Sequence, residues 1–544
     1  MAVELAVRTE TFSQVNGRAR RRATDIGLAR PADVGWWRGV RADDLPVISL
    51  TSGAPRPGIA STAYDTAWLA SIPSERTTGL PRFPTALRWL VEHQHADGSW
   101  GSDIPYYHDR IISTLAALVP LARFGRRKTD REAITAGQRY LWDRSHFLRR
   151  EPTELVGSEL LLPALVQRAR RSGIAVPPNL EVYGAQRDEK LRLIPPEALY
   201  SPNTTAAHSL EFLGDDVDIL RLERAQGQNG GVGNSPAATA FFFSKTGDGR
   251  ALAYLERCMS GDGGASVPVL APCETFELIW SAYHLYLAGI PSQRLFSAGE
   301  QARLLSALDN GGVSLSTSFP VNDADDTAVA TTMLRRLGGP TDASALRAFA
   351  QPDGHFASFP YERHPSIGVN VHALQAVIHS PDCPDREAVI DRLVDYVVDQ
   401  QVDGMYWLDK WHVSPYYATA HTLCCLRDLD ARRIKAALPA IERAREWLRR
   451  TQNRNGSWGF YGQPTVEETA YAVLALAAGG VTPVDRADWV HCCLGVQYLR
   501  SRCSFDELPP TFPSLWIDKC LYFPPLIVRS AIEAAFIAFA RISR

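Results

Sequence analysis

A turn signature that recurs along the chain limits the fold more than any other feature. It reads ADGSWG at 96–101, QNGGVG at 228–233, DNGGVS at 309–314, PDGHFAS at 352–358, VDGMYW at 402–407 and RNGSWG at 454–459. A period of about 40–50 residues belongs to stacked helix pairs, none of which can bury its apolar face alone. Glycine supplies the positive φ that ends one helix, and the aromatic residue after it plugs the junction to the next. Between the turns, LPRFPTALRWLVEHQ, IISTLAALVPLARFG, AIERAREWLRRTQ and VEETAYAVLALAAGG place apolar residues at helical spacing. Alternating strand patterns are nearly absent, and runs such as ASVPVL are too few for a sheet. The fold class read from this pattern is all-α. The turns fall in two groups, before about residue 235 and after about residue 300, which fits two helical barrels better than one continuous array. Periodicity alone fits a non-catalytic helical-repeat scaffold equally well.

Composition removes several other classes. At about 100–200 residues per domain, 544 residues make two to four domains. Lysine and arginine total 58 against 60 acids, a net charge of -2, so no bulk field attracts nucleic acid or an anionic membrane. No run approaches the ~18 apolar residues of a membrane-spanning helix. The first residues, MAVELAVRTETFSQVNGRARRR, carry Glu4 and Glu10 and lack a long apolar core, so no secretory leader is expected. Nine scattered cysteines without a CxxC are expected to be reduced thiols of a cytoplasmic protein. Only six residues are lysines, and two of them, Lys410 and Lys519, sit among aromatics.

The densest acidic run is PVNDADDTAVATTMLRRLGG, which places Asp323, Asp325 and Asp326 at the start of a helix. One acid there would cap the helix and meet its dipole. Three within four residues exceed that need, because like charges this close do not all ionise cheaply. Buried beside an apolar cavity, a carboxyl kept neutral would be a Brønsted acid able to protonate an alkene.

The DADDTA run resembles the D-x-D-D-T-A motif of class II terpene cyclases, and the DGSWG and NGSWG turns resemble that group's Gln-Trp repeats. STAYDTAWLASI at 61–72, NTTAAHSLEFLGD at 203–215 and APCETFELIWSAYHLYLAGI at 271–290 are similar to segments of the diterpene branch, the copalyl-diphosphate-synthase-like enzymes. The resemblance covers most of residues 60–540. It implies two α/α barrels in the βγ arrangement: an N-terminal segment, 1–60, belonging to the β domain; an inserted γ domain at 61–266; a β domain at 267–544; and no class I ionising domain. It implies protonation of geranylgeranyl diphosphate and closure to a bicyclic diphosphate with the diphosphate retained. A copalyl-type product leads, with its ent form among the alternatives, and kolavenyl, halimadienyl or terpentedienyl skeletons compete. A squalene–hopene-type triterpene cyclase is the enzymatic rival. A class I terpene synthase on a separate chain is the implied downstream partner, and a homodimer is left open.

By the same resemblance Asp325 is the general acid, tuned and reprotonated by Asp323 and Asp326. Trp280, Tyr283, Trp411, Tyr416 and Tyr417 are candidates for an aromatic lining that stabilises cations. His208 and Glu211, three residues apart, are candidates for the terminating base. In plant ent-copalyl enzymes the histidine works with an asparagine of a P-N-V segment. Here that segment reads Pro268-Val269-Leu270, which favours Glu211. Lys410, Lys519, Arg363 and His364 are candidates for the diphosphate. Magnesium is the implied cofactor, with Glu151 and Glu154 of REPTELVGSE as its candidate ligands. Asp65 is read as structural.

Overall fold

The computed structural model describes residues 58–259, 264–480, 484–503 and 512–543. Helices dominate, and they close into two rings. In the first, α1 (Ala63–Ala70), α2 (Tyr107–Phe124), α3 (Ser158–Arg171), a 3-10 segment (Thr205–Leu213) and α4 (Pro236–Thr246) each pack on the next, and α4 packs back on α1. The second joins α5 (Glu274–Leu287), α6 (Ala324–Leu334), α7 (Ile367–Ile378), α8 (Pro415–Leu426), α9 (Val466–Ala478) and α10 (Pro525–Ile542), with α10 closing on α5. Outer helices such as Ala431–Thr451 and Arg486–Arg502 cover these rings, giving two α/α barrels. The inner helices are buried all round; every residue of α8 is buried. Among the described residues no helix is long and apolar enough to cross a membrane, and the nine cysteines are all unbridged.

The recurring turn works by two repeated hydrogen bonds. The indole N–H groups of Trp100, Trp407 and Trp458 donate to carbonyls ten residues earlier, Leu90, Val397 and Leu448, at 2.6, 2.7 and 2.8 Å. The glutamine six residues before each tryptophan reaches the carbonyl 39 residues further on: Gln94 to Ala133, Gln401 to Ala440 and Gln452 to His491, each at 2.9 Å. One residue type thus ties the turn to the helix it leaves, and the other ties it to the following outer helix. The glycine is required at Gly98, where φ is +91° and a Cβ would lie 2.5 Å from the Ala136 carbonyl oxygen.

The chain enters the first ring and leaves it at adjacent points. Thr62 N–H donates to Val267 O at 3.0 Å, and Ser61 bridges Pro268. Residues 1–57 of the expected N-terminal segment lie outside the described residues. A short hairpin, β1 (Trp516–Ile517) and β2 (Leu521–Tyr522), sits where the rings meet. Val156 N–H donates to its Asp518 carbonyl at 3.1 Å, and Ile517 N–H donates to Trp411 O at 2.8 Å, so the hairpin is tied to both barrels.

Candidate active site

Asp323 is the N-cap of α6, its Oδ1 accepting the Asp326 N–H at 2.7 Å. Thr62, Ser235, Ser366, Ser414 and Thr465 hold the same capping position in α1, α4, α7, α8 and α9. Asp323 therefore does what a hydroxyl does elsewhere in the fold. Asp326 accepts the Trp280 indole N–H on Oδ1 at 2.8 Å, while its Oδ2 is buried without a partner. Burial, then the charge of Asp326, raises the Asp323 carboxyl well above its ordinary value. Burial raises Asp326 to about 7, with Asp325 adding to the shift and the indole N–H opposing it. No lysine or arginine forms a salt bridge with the trio among the described residues; both carboxyls gain relief by keeping a proton.

Asp325 faces the cavity and is 8% exposed. His372 Nδ1 lies 2.5 Å from its Oδ1, and His372 Nε2 lies 2.9 Å from His421 Nδ1. Burial and the neighbouring His372 hold the His421 imidazole well below its usual pKa, so it is neutral. Its Nε2 is buried without a partner, which places its hydrogen on Nδ1, donating to His372. His372 then carries its hydrogen on Nδ1 and donates to Asp325 Oδ1. That leaves Oδ2 outside the imidazole contact, on a residue that lines the cavity.

The cavity occupies about 570 Å³ between the barrels, within the ~300–1,000 Å³ of small-molecule sites. Phe276, Trp280, Trp411, Tyr417, Trp516 and Tyr522 form its aromatic wall. Trp280 meets Trp516 edge to face at 5.9 Å, and Tyr417 meets Trp516 at 5.3 Å. Such faces stabilise a passing cation by about 0.5–2 kcal/mol each and offer it no nucleophile.

Another part of the wall is charged. Lys410 donates to Glu362 and, at 3.2 Å, to the His364 carbonyl, and burial pushes its ammonium down to about 7. Arg363 pairs with Glu154 and lies 3.8 Å from Glu159. Lys190 donates to the Tyr361 carbonyl. Lys410, Arg363 and His364, all read from sequence, are on the wall together, and Lys190 joins them. Glu151 and Glu154 are also there, but they do not make a preformed metal site. Glu151 accepts the Tyr107 N–H at 2.9 Å, and burial raises it to about 7. Among the described residues no group of three His, Cys, Asp or Glu side chains could hold a metal ion.

Four expectations are corrected by position. Glu211 does not share a face with His208, because the Thr205–Leu213 segment is broken at Ser209 (φ -116°, ψ 25°). His208 lines the cavity, whereas Glu211 turns into a buried cluster, accepting from Tyr64 Oη at 2.9 Å and Lys519 Nζ at 3.0 Å. Lys519 is fully buried there, away from the wall, donating also to the His208 carbonyl at 3.0 Å and to Ser235. Tyr283 stands behind the wall, edge-on to His372 at 5.2 Å and donating to Gln375 at 2.7 Å. Tyr416 faces outward and stacks on Trp447 of the outer helix at 4.8 Å. Asp65, in the same buried cluster as Glu211, accepts the Thr62 hydroxyl and the Ala237 N–H, a structural placement as expected. Sequence reasoning missed His372, His421 and Asp518. The signal for the first two is a histidine inside an otherwise apolar inner helix.

The family model for the squalene-hopene cyclase C-terminal domain matches residues 363–507. A type B diterpene cyclase of Mycobacterium tuberculosis is 33% identical over 521 residues, covering 89% of this chain and 97% of its own. A terpentedienyl-diphosphate synthase of Kitasatospora griseola is 30% identical, covering 88% of this chain and 96% of its own. Among solved structures, the ent-copalyl diphosphate synthase from Streptomyces platensis superimposes with a TM-score of 0.73 at 28% identity, covering 88% of this chain and 96% of that one.

Proposed function

The chain belongs to the class II diterpene cyclases, and from that premise we propose that it converts geranylgeranyl diphosphate to a copalyl-type bicyclic diphosphate, with the diphosphate retained. The observation that carries this reading is a buried carboxyl trio lining an aromatic cavity, in which Asp323 is engaged as the helix N-cap, Asp326 accepts the Trp280 indole N–H, and Asp325 is held by an imidazole N–H. Among the described residues Asp325 is paired with no lysine or arginine. Asp325 Oδ2 gives its proton to the terminal alkene, two internal alkenes trap the cation in turn, and loss of a C–H proton ends the sequence. His372 and His421 hold the acid in place and favour proton release, since the N–H of His372 stabilises the carboxylate left behind. Trp280, Tyr417 and Trp516 shield the cation from water.

Lys190, Arg363 and Lys410 are the groups proposed to hold the diphosphate, which must draw Arg363 and Lys410 from their glutamate partners and Lys190 from the Tyr361 carbonyl. Magnesium commonly rides on substrate phosphates and needs only one or two protein carboxylates. Glu154 and Glu159, which share Arg363, fit that limited role better than a protein cage. Bound there, the ion would neutralise diphosphate charge. The domain division proposed at 61–266 and 267–544 puts this charged wall and the acid on opposite sides of a shared cleft only in part, since Arg363 and Lys410 come from the second barrel.

Purified protein is incubated with geranylgeranyl diphosphate and Mg²⁺, dephosphorylated and examined by gas chromatography–mass spectrometry. A bicyclic diterpene alcohol is expected. Unchanged geranylgeraniol, or turnover of squalene in a parallel incubation, would overturn the reading. A rearranged bicycle would keep the cyclase chemistry and replace the copalyl product.

A further inference from the structure

We propose that Asp518 is the base that ends the cyclisation and that His208 positions it, an inference that rests on the cyclase reading above. The final bicyclic cation must lose a proton to a group on the cavity wall. Glu154, Glu362 and Arg363 are occupied with one another's charges or with Lys410. Asp409 already accepts the Ser366 hydroxyl and the N–H groups of Gly368 and Trp411. Glu151 accepts the Tyr107 N–H and Glu159 lies 3.8 Å from Arg363, both at the charged end of the wall. His208 and Asp518 line the wall elsewhere and face each other.

His208 has no lone pair to offer. Its Nδ1 lies 2.8 Å from the Gly233 carbonyl oxygen, which only accepts, so Nδ1 carries a hydrogen. Its Nε2 lies 3.1 Å from both Asp518 oxygens. Beside an ionised carboxylate that nitrogen carries a hydrogen as well. The carboxylate, in contrast, has lone pairs to spare. Oδ1 accepts the Lys519 N–H at 2.7 Å, and Oδ2 accepts from His208. Burial opposes the Asp518 charge, but His208 and Lys519 outweigh it and keep the carboxyl below its usual range. A weakly basic carboxylate suffices, because a carbocation is a far stronger acid than any protein side chain.

The geometry is clamped from behind. Lys519 gives its backbone N–H to Asp518 and its ammonium to the His208 carbonyl at 3.0 Å, so one residue fixes both members of the pair. In the step itself the C–H electron pair becomes the new carbon–carbon π bond, and the proton goes to an Asp518 oxygen. Asp325 has by then become a carboxylate. After product leaves, one proton lost from Asp518 to water and one gained by Asp325 restore the enzyme, and no atom is gained or lost overall.

The test compares Asp518→Asn and His208→Gln with the wild type on geranylgeranyl diphosphate, reading the product mixture by mass spectrometry. Asp518→Asn should still consume substrate, while the share of the wild-type olefin falls about 100-fold in favour of other double-bond isomers and water-captured alcohols. His208→Gln keeps the carboxylate but loosens its hold, so the share of the wild-type olefin should fall by clearly less than in Asp518→Asn. The wild-type product at its wild-type share from Asp518→Asn would overturn the assignment. A loss from His208→Gln as large as or larger than that from Asp518→Asn would also overturn it, and if Asp518→Asn does not fold, complete loss of the wild-type olefin from His208→Gln, with substrate still consumed, decides against it. No turnover by the wild type would be a different failure, that of the cyclase reading itself.

Discussion

The molecule buries two groups of acids and treats them in opposite ways. Asp65 and Glu211 surround Lys519, whose ammonium lies 3.7 Å from the one and 3.0 Å from the other. Burial works against that ammonium, but the two acids outweigh it and raise its pKa, so the charge stays. Asp323, Asp325 and Asp326 are also buried, but among the described residues no lysine or arginine pairs with them, and Asp325 meets the imidazole of His372 instead. A buried carboxylate with a cation becomes a structural ion cluster. Without one, burial raises the carboxyl, as at Asp323 and Asp326, and a carboxylic acid beside an apolar cavity can serve as an acid for carbon. The lysine tempers the effect of burial without cancelling it, since Asp65 is still raised to about 6; the lysine partner on one side and the open cavity on the other together separate structure from chemistry here.

Changes that exchange these two situations should have effects of very different size and kind. Asp325→Asn removes the acid and relieves crowding: turnover should fall about 100- to 10,000-fold, with the melting temperature kept or raised. Loss of both folding and activity would mean that Asp325 is structural. Lys519→Met should do the reverse and destabilise the fold by about 3–5 kcal/mol, since it strands buried carboxylates. Denaturant unfolding would measure this, and the double variant Lys519→Met/Glu211→Gln should recover part of the loss. His372→Phe withdraws one N–H from the acid and should cost about 1–3 kcal/mol of transition-state stabilisation, or roughly 5- to 150-fold in turnover, with the fold intact.

An effect of another kind is in pH dependence. The Asp326 carboxyl is raised from 3.8 to about 7 in the folded protein. Its contribution to stability is therefore complete below the unfolded value and is lost as pH rises through the folded one. The wild type should lose stability relative to Asp326→Asn between those limits. A constant difference between the two across that range would show that Asp326 ionises freely.

The acid trio was legible in sequence because it needs only three residues next to one another at a helix start. The helix pairs were legible because the glycine turn repeats with its glutamine and tryptophan. Their bonding partners were not, as Gln94 and Trp100 find Ala133 and Leu90 only once the helices stack. His372 and His421 were missed because the inner helices are buried on every side, so no polar stripe marks the face that meets Asp325. Lys519 was misread for a local reason. Asp518 and Lys519 lie in the bend that joins β1 to β2, and that bend turns Asp518 to the cavity and Lys519 into the buried cluster. Glu211 was misread because the break at Ser209 cancels the helical spacing that would have joined it to His208.

The central claim is proton delivery from Asp325 to the terminal alkene, and turnover in D₂O tests it most directly. After exchange of the carboxyl hydrogen, the bicyclic product should carry one deuterium, on the ring methylene next to the gem-dimethyl carbon, and Asp325→Asn should give no labelled product. A bicyclic product without deuterium at that carbon, or undiminished labelling by Asp325→Asn, would contradict the account.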